Sequence, residues 1–224
     1  MVHIKKRVAI LDNELINAFK CQDSATVHEA MGQRGAMNSS IKPIDRGMRV
    51  CGPALTVTCH SADNIMLIKA INMAKRGDVI VANMGQIQNS GPFGEVLANE
   101  CIAKGVAGLI LTSSVRDSRQ IINLGFPVFC ANLCVCGTAK ATLGTINHVI
   151  SCGDVIVRPG DLIIGDDDGV VVIPVEECSD VLDKAKARTQ KEKTVMERLR
   201  RGESLFDIYG YQSLLDKLGC VEER

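Results

Sequence analysis

Between residues 49 and 133, short apolar runs alternate with segments of helical period, and this alternation limits the folds open to the chain. "RVCGPALTVTCH" (49–60) is rich in Val and Thr and reads as a strand. "NIMLIKAINMA" has an apolar helical face, and "DVIVANM" reads as a buried strand. "GEVLANECIAKG" reads as a helix closed by Gly105, a residue suited to a left-handed C-terminal position. "VAGLILT", "DSRQIINLG" and "FPVFCAN" then give strand, helix and strand. Strands separated by helices of this length predict an α/β core. Upstream, "ELINAFKCQD" and "SATVHEAMG" have helical spacing, with Gly32 as a stop.

From 145 to 173 the texture changes. "TINHVI" and "GDVIVRPGDLIIGDDDGVVVIP" read as strands joined by turns at "RPGD" and "DDDG", a β-meander that makes the sheet mixed. "DDDG" lacks the later ligands and final Glu of a calcium loop, so it reads as a hairpin turn. The region from about 176 to 201 predicts a long charged helix with apolar marks at 181, 195 and 199, a stripe thin enough to suggest that it covers an edge or reaches a neighbour. The expected organisation is one α/β domain over 1–175 and a helical extension over 176–224.

A chain of 224 residues with 46% hydrophobic and 23% charged residues can bury a sizeable core and is neither disordered nor fibrous. Its formal net charge of zero argues against a bulk surface for nucleic acid or anionic membrane. No apolar run approaches the length of a membrane span, and the first twenty residues lack the apolar core of a secretory signal, so a cytoplasmic location is expected. Most of the ten cysteines, such as Cys51, Cys59, Cys101 and Cys130, sit in apolar runs and read as reduced, packed thiols. "CANLCVC" (130–136) contains C-x-C without the second ligand pair of a zinc site.

The candidate site follows from lengths. A helix from Gly94 to Lys104 advances roughly 16 Å, and a strand from Val106 to Leu111 returns roughly 20 Å. The helix N-terminus and the residues after the strand should therefore share the carboxyl edge of the sheet, where α/β folds bind ligands. A helix N-terminus offers unpaired amides and partial positive charge. Gly91 and Gly94 admit close approach, and Arg116 supplies a planar fork for a carboxylate or phosphate. Asp117 and Glu95 add hard oxygens suited to Mg²⁺ or Mn²⁺. An ordinary pair of solvated charges is the plainer explanation of the same spacing. Lys69 and Lys104, on helices away from this edge, read as solvated rather than as Schiff-base lysines. His28 and His60 have no nearby nucleophile and read as structural.

Glu95, twenty intervening residues and then Arg116-Asp117 resembles the acid-x20-Arg-Asp signature of the class II pyruvate aldolases that cleave 4-hydroxy-4-methyl-2-oxoglutarate and 4-carboxy-4-hydroxy-2-oxoadipate. These share a fold with the regulator of ribonuclease activity A. "ATVHEAMGQRG", "IKPIDRG", "GPALTV", "RGDVIV", "GDLIIGDDDGVVVIP", "ARTQKE" and "RLRRGESLFDIYG" extend the resemblance across residues 23 to 210. It implies a layered α-β-β-α sandwich of the swivelling β/β/α type, with a mixed sheet and a C-terminal helical extension packing on a neighbouring subunit. It implies that the amides of Gly94, Glu95, Val96 and Leu97 hold pyruvate, that Arg116 contacts it, and that Asp117 binds the metal directly. Glu95, Glu29 and Glu192 would act through water, Glu192 coming from the neighbouring subunit of a trimer or hexamer. The implied reaction stabilises a pyruvate enolate with a divalent cation, Arg116 fixing the carboxylate and an ordered water taking the C4 hydroxyl proton. Oxaloacetate decarboxylation needs the same enolate. "TSSVRD", with Thr112, Ser113 and Ser114, departs from the Asp-Gly or Asp-Ala-Gly that precedes the signature in the aldolases. The competing expectation is a non-catalytic, protein-binding regulator, which lacks the metal-binding aspartate.

Overall fold

The computed structural model describes residues 3–6, 11–85 and 89–221. Helices α1 (Asn13–Phe19) and α2 (Ser24–Ala30) come first. The alternating part is β1 (Lys42–Pro43), β2 (Val50–Thr58), α3 (Ile65–Met73), β3 (Val79–Asn83), α4 (Glu95–Lys104), β4 (Gly108–Val115), α5 (Ser118–Leu124) and β5 (Val128–Leu133). It is followed by β6 (Thr145–Ile146), β7 (Ile150–Cys152), β8 (Val155–Val157), β9 (Leu162–Asp166) and β10 (Gly169–Ile173). The chain closes with α6 (Cys178–Arg200), α7 (Leu205–Tyr209) and α8 (Tyr211–Leu218). Among the described residues no helix is long and apolar enough to cross a membrane.

The main sheet runs β1-β5-β4-β3-β2-β9-β10, with β6 also on β2. Strands β2 to β5 are mutually parallel, while β9 is antiparallel to β2 and forms a hairpin with β10. A bridge from Ala36 to Val171 and a bond from Lys42 Nζ to the Asp168 carbonyl draw the two ends together, so the sheet nearly closes. The period of two along each strand sorts the side chains into layers. In β3, Val79 and Val81 point into the enclosed core, and Ile80 and Ala82 point to the layer of α3, α4 and α5. In β10, Val170 and Val172 face the same enclosed core, and Val171 and Ile173 face α1, α2 and α6. Helices outside, sheet, shared core, sheet and helices outside form the α-β-β-α sandwich that the resemblance implied.

Two expectations need correction. The stretch 145–173 is not one meander. β7 and β8 form a separate two-stranded sheet, and β9 crosses to β2. The buried Asp161 explains the break: its carboxylate accepts from the Arg158 amide at 2.7 Å, and backbone bonds Ala54 N to Asp161 O and Gly160 N to Ala54 O commit the turn to β2. Nor is the stripe on α6 thin along its whole length. Cys178, Val181, Leu182 and Ala185 are buried against α1, α2 and the outer faces of β9 and β10. Their spacing of three and four is an ordinary packed face, and burying Val181 and Leu182 alone contributes on the order of 4 kcal/mol. Core packing thus continues past residue 175 to Ala185. Beyond it the apolar side chains of Met196, Leu205, Leu214 and Leu218 are exposed.

Candidate functional site

β4 and α4 meet as the lengths predicted. Gly105 closes α4 with φ 71°, and β4 returns the chain to the level of the α4 N-terminus. There the Arg116 amide donates to the Phe93 carbonyl at 2.9 Å, tying the end of β4 to the residue before Gly94. A simple strand would send Arg116 and Asp117 to opposite faces. Asp117 instead adopts a left-handed conformation, φ 54° and ψ 35°, one of the few that Asp tolerates outside glycine positions. The turn brings both side chains against Gly94. The Glu95 amide donates to Asp117 Oδ2 at 3.1 Å. A Cβ on Gly94 would stand 2.4 Å from that same oxygen and 3.1 Å from Arg116 Cγ. Gly94 has extended backbone, so what this position requires of glycine is space.

Arg116 Nε and Asp117 Oδ2 are 3.8 Å apart, and both side chains are nearly half exposed, at 48% and 41%. A pair this long and wet adds little stability. Its guanidinium is therefore available to another anion. The pair opens onto a cleft of about 370 Å³ lined with Ser118, Leu133, Cys134 and Val135. Glu95 and Val96 are exposed in the first turn of α4, and Leu97 is half-buried against the core. The amides of Val96 and Leu97 have no acceptor within the helix, as in any first turn. The Arg116 guanidinium lines the cleft, and the N-terminus of α4 adjoins it through the Glu95 amide on Asp117 Oδ2.

The donor set fits a hard divalent cation held largely by water. Asp117 Oδ2 is fixed by the Glu95 amide, and the Glu95 side chain is exposed in the first turn of α4. Glu29 and Glu192 do not join Asp117 within the chain. Both sit on Arg188, at 3.5 and 2.9 Å, on the α2–α6 layer that packs against β9 and β10. Among the described residues no three His, Cys, Asp or Glu side chains gather as a metal cluster.

Other singled-out residues fall elsewhere. Lys104 Nζ binds the Asn72 carbonyl, and His60 Nδ1 lies by the Ser61 carbonyl. "DDDG" is the β9–β10 hairpin turn, and the buried Asp166 holds the amide and hydroxyl of Ser24 at 2.7 and 2.6 Å. Thr112 accepts from the Met84 amide and donates to the Gly85 carbonyl, while Ser113 and Ser114 are buried. The residues that depart from the aldolase pattern thus tie β4 to the segment after β3 and do not line the Arg116 cleft. Their neighbourhood carries a register shift between β4 and β5 at Leu111 and Ser114, a bulge of the kind found beside functional sites.

Three contributors had no sequence signal. The Phe93 carbonyl holds Arg116, Asn64 Nδ2 holds the Pro92 carbonyl at 2.8 Å, and Cys134 forms one wall of the cleft. Each acts through a contact distant in sequence. Only the glycines flanking 92 and 93 hinted that backbone comes close there.

The chain matches the family described as "RraA-like: Aldolase/RraA" over residues 24–172. A Halalkalibacterium halodurans protein named "Putative 4-hydroxy-4-methyl-2-oxoglutarate aldolase" is 37% identical over 175 residues, covering 78% of this chain and 83% of that protein. The Streptomyces coelicolor protein RraAS2, described as an unusual member of the RNase ES inhibitor RraA family, is 27% identical, with a TM-score of 0.75 over 84% of this chain and 98% of its own. The RNA-processing inhibitor RraA from Thermus thermophilis shares the fold, at 21% identity and a TM-score of 0.63, over 68% of this chain and 92% of that chain.

Proposed function

The chain belongs to the RraA-like family, and from that premise we propose that it is an aldolase. It would split 4-hydroxy-2-oxo di- and tricarboxylic acids between C3 and C4 into pyruvate and a second oxoacid. 4-Hydroxy-4-methyl-2-oxoglutarate and 4-carboxy-4-hydroxy-2-oxoadipate are the substrates of this class, and oxaloacetate decarboxylation is the expected side reaction. One observation carries the reading: an arginine, a carboxylate and a helix N-terminus converge on Gly94, where a Cβ would stand 2.4 Å from Asp117.

Arg116 binds the carboxylate of the oxoacid through its planar fork and fixes the plane in which C3–C4 breaks. The first-turn amides of α4 donate to the same end of the substrate and favour the negative charge that grows there. Water in the open cleft takes the C4 hydroxyl proton. Asp117, oriented by the Glu95 amide, would hold Mg²⁺ or Mn²⁺, with Glu95 acting through water. The bound cation supplies Lewis acidity for the electrons released onto the 2-oxo group. Pyruvate release from 4-hydroxy-4-methyl-2-oxoglutarate and oxaloacetate, with Mg²⁺ or Mn²⁺ and again with EDTA, tests the reading. Turnover should vanish with EDTA. No turnover on any oxoacid with either metal would favour a protein-binding regulator.

Arg116→Lys keeps the charge and loses the fork. It should raise KM and weaken inhibition by oxalate, a planar mimic of the pyruvate enolate, on the order of tenfold. Oxalate inhibition equal to the wild type would remove Arg116 from the carboxylate clamp.

We also propose that the site is completed by a neighbour in a trimer or hexamer. Glu192, paired with Arg188 beside Glu29, would reach the Asp117 of the next subunit. The exposed apolar residues of α6 to α8 give that contact its surface, and a head-to-tail ring presents different faces on its two sides. Asp117→Asn and Glu192→Ala chains, each inactive alone, should regain activity when mixed and allowed to exchange subunits. Proven exchange with no recovery would place the site within one chain.

A further inference from the structure

Cys134 and Cys136 differ from the buried cysteines in exposure, and from the exposed Cys21 and Cys220 in lying at the Arg116 cleft. Burial pushes the thiols of Cys59, Cys101, Cys152 and Cys178 up to about 12, and those of Cys51 and Cys130 up to about 11. Such thiols are poorly ionised and inert. Cys134 is half-buried in the wall of the Arg116 cleft and Cys136 is exposed, each free. Residues two apart in a chain have Cα atoms no more than about 7 Å apart, within the reach of a disulfide. The Cys136 pKa is raised, first by a hydrogen bond with the Cys134 thiol and then by repulsion between the two groups.

The backbone that carries this pair also builds the site. The Cys134 amide donates to the Val115 carbonyl at 2.9 Å, immediately before Arg116. The Gly91 amide donates to the Cys136 carbonyl at 2.8 Å. A Cβ on Gly91 would stand 2.5 Å from the Cys134 carbonyl oxygen and 3.0 Å from Arg116 Cβ. Segment 134–136 is thus wedged between the end of β4 and the loop that leads to Gly94.

We propose that Cys134 and Cys136 form a reversible thiol switch, closed to a disulfide by exchange with a small-molecule disulfide, that loosens the Arg116 cleft when oxidised. One cysteine thiolate attacks a sulfur of the small disulfide, forming a mixed disulfide and releasing one thiol. The second cysteine thiolate attacks the protein sulfur of that bond and releases the other thiol. The protein loses two thiol hydrogens, and one small disulfide becomes two thiols. A disulfide holds its two Cα atoms at about 5.5–6 Å. Closing the bond fixes the backbone of 134–136 at that spacing and, in this proposal, draws the Cys136 carbonyl from the Gly91 amide. The proposal concerns the geometry of the cleft and stands whether or not the cleft cleaves oxoacids.

The test treats the full chain with oxidised glutathione, maps its cysteines by peptide mass, and follows hydrogen exchange over residues 89–97. The expected product is a Cys134–Cys136 disulfide, with Gly91 exchanging on the order of tenfold faster, the loss of about one net hydrogen bond. A dithiol reductant should restore the slow rate. Cys136→Ser should fold normally and show no acceleration under the same treatment. A stable glutathione adduct in place of the disulfide would overturn the proposal. So would a disulfide that leaves exchange unchanged, or equal acceleration in Cys136→Ser.

Discussion

Asp117→Asn should lower oxoacid turnover by about a hundredfold or more, the loss that follows removal of a preorganised electrostatic group at a reacting centre. The side chain keeps its size, and its oxygen can still accept from the Glu95 amide, the 3.1 Å contact that orients Asp117 in the wild type. The left-handed backbone at 117 is also tolerated by Asn. The fold should therefore survive, and the change isolates the charge. Melting temperature within a few degrees of the wild type, together with lost metal affinity measured by calorimetry, would complete the expected result. Near-normal turnover with unchanged metal affinity would remove Asp117 from the site.

Gly94→Ala should be nearly as damaging, by a different route. The backbone at 94 is extended, φ −150° and ψ −170°, so alanine meets no torsional penalty there. Its methyl would instead lie 2.4 Å from Asp117 Oδ2 and 3.1 Å from Arg116 Cγ. Both side chains must move, and the Glu95–Asp117 bond must lengthen or break. A displacement near 1 Å at a reacting centre costs on the order of a hundredfold, while overpacking one methyl at this half-open edge should cost only about 1–2 kcal/mol of stability. The signature is an enzyme that melts close to the wild type and turns over slowly. Normal kcat and KM in Gly94→Ala would contradict the close approach that defines the cleft.

The parts of this architecture that sequence exposed are those governed by local period. The continuous apolar run "DVIVANM" marked β3 as a buried strand, and Gly105 marked the end of α4. The matched lengths of α4 and β4 then placed Gly94 and Arg116 on one edge. Distant partner choice stayed hidden. The crossing of β9 to β2 depends on Asp161 meeting residue 54, and no local pattern in 145–173 records it. On α6, Val181 marks the packed face in the sequence, whereas Cys178 and Ala185, both fully buried, are too small to stand out as apolar marks. At the site, residue types and spacing revealed Arg116, Asp117 and the helix N-terminus. The left-handed turn that points both side chains to Gly94 did not show in them, nor did the Phe93 and Cys134 contacts. The pairing of Glu29 with Glu192 through Arg188 was half visible, since Arg188 and Glu192 are four apart on one helix. Glu29 reaches them only through the packing of α2 on α6.

The central claim is that the Arg116–Asp117 edge at the N-terminus of α4 is where an oxoacid binds. A crystal structure of the protein grown with Mn²⁺ and oxalate tests it most directly. The account predicts one oxalate carboxylate within hydrogen-bond distance of the Arg116 guanidinium, with the first-turn amides of α4 beside it and Mn²⁺ on Asp117. Oxalate bound elsewhere, or an empty cleft in crystals of a protein that binds oxalate in solution, would contradict it.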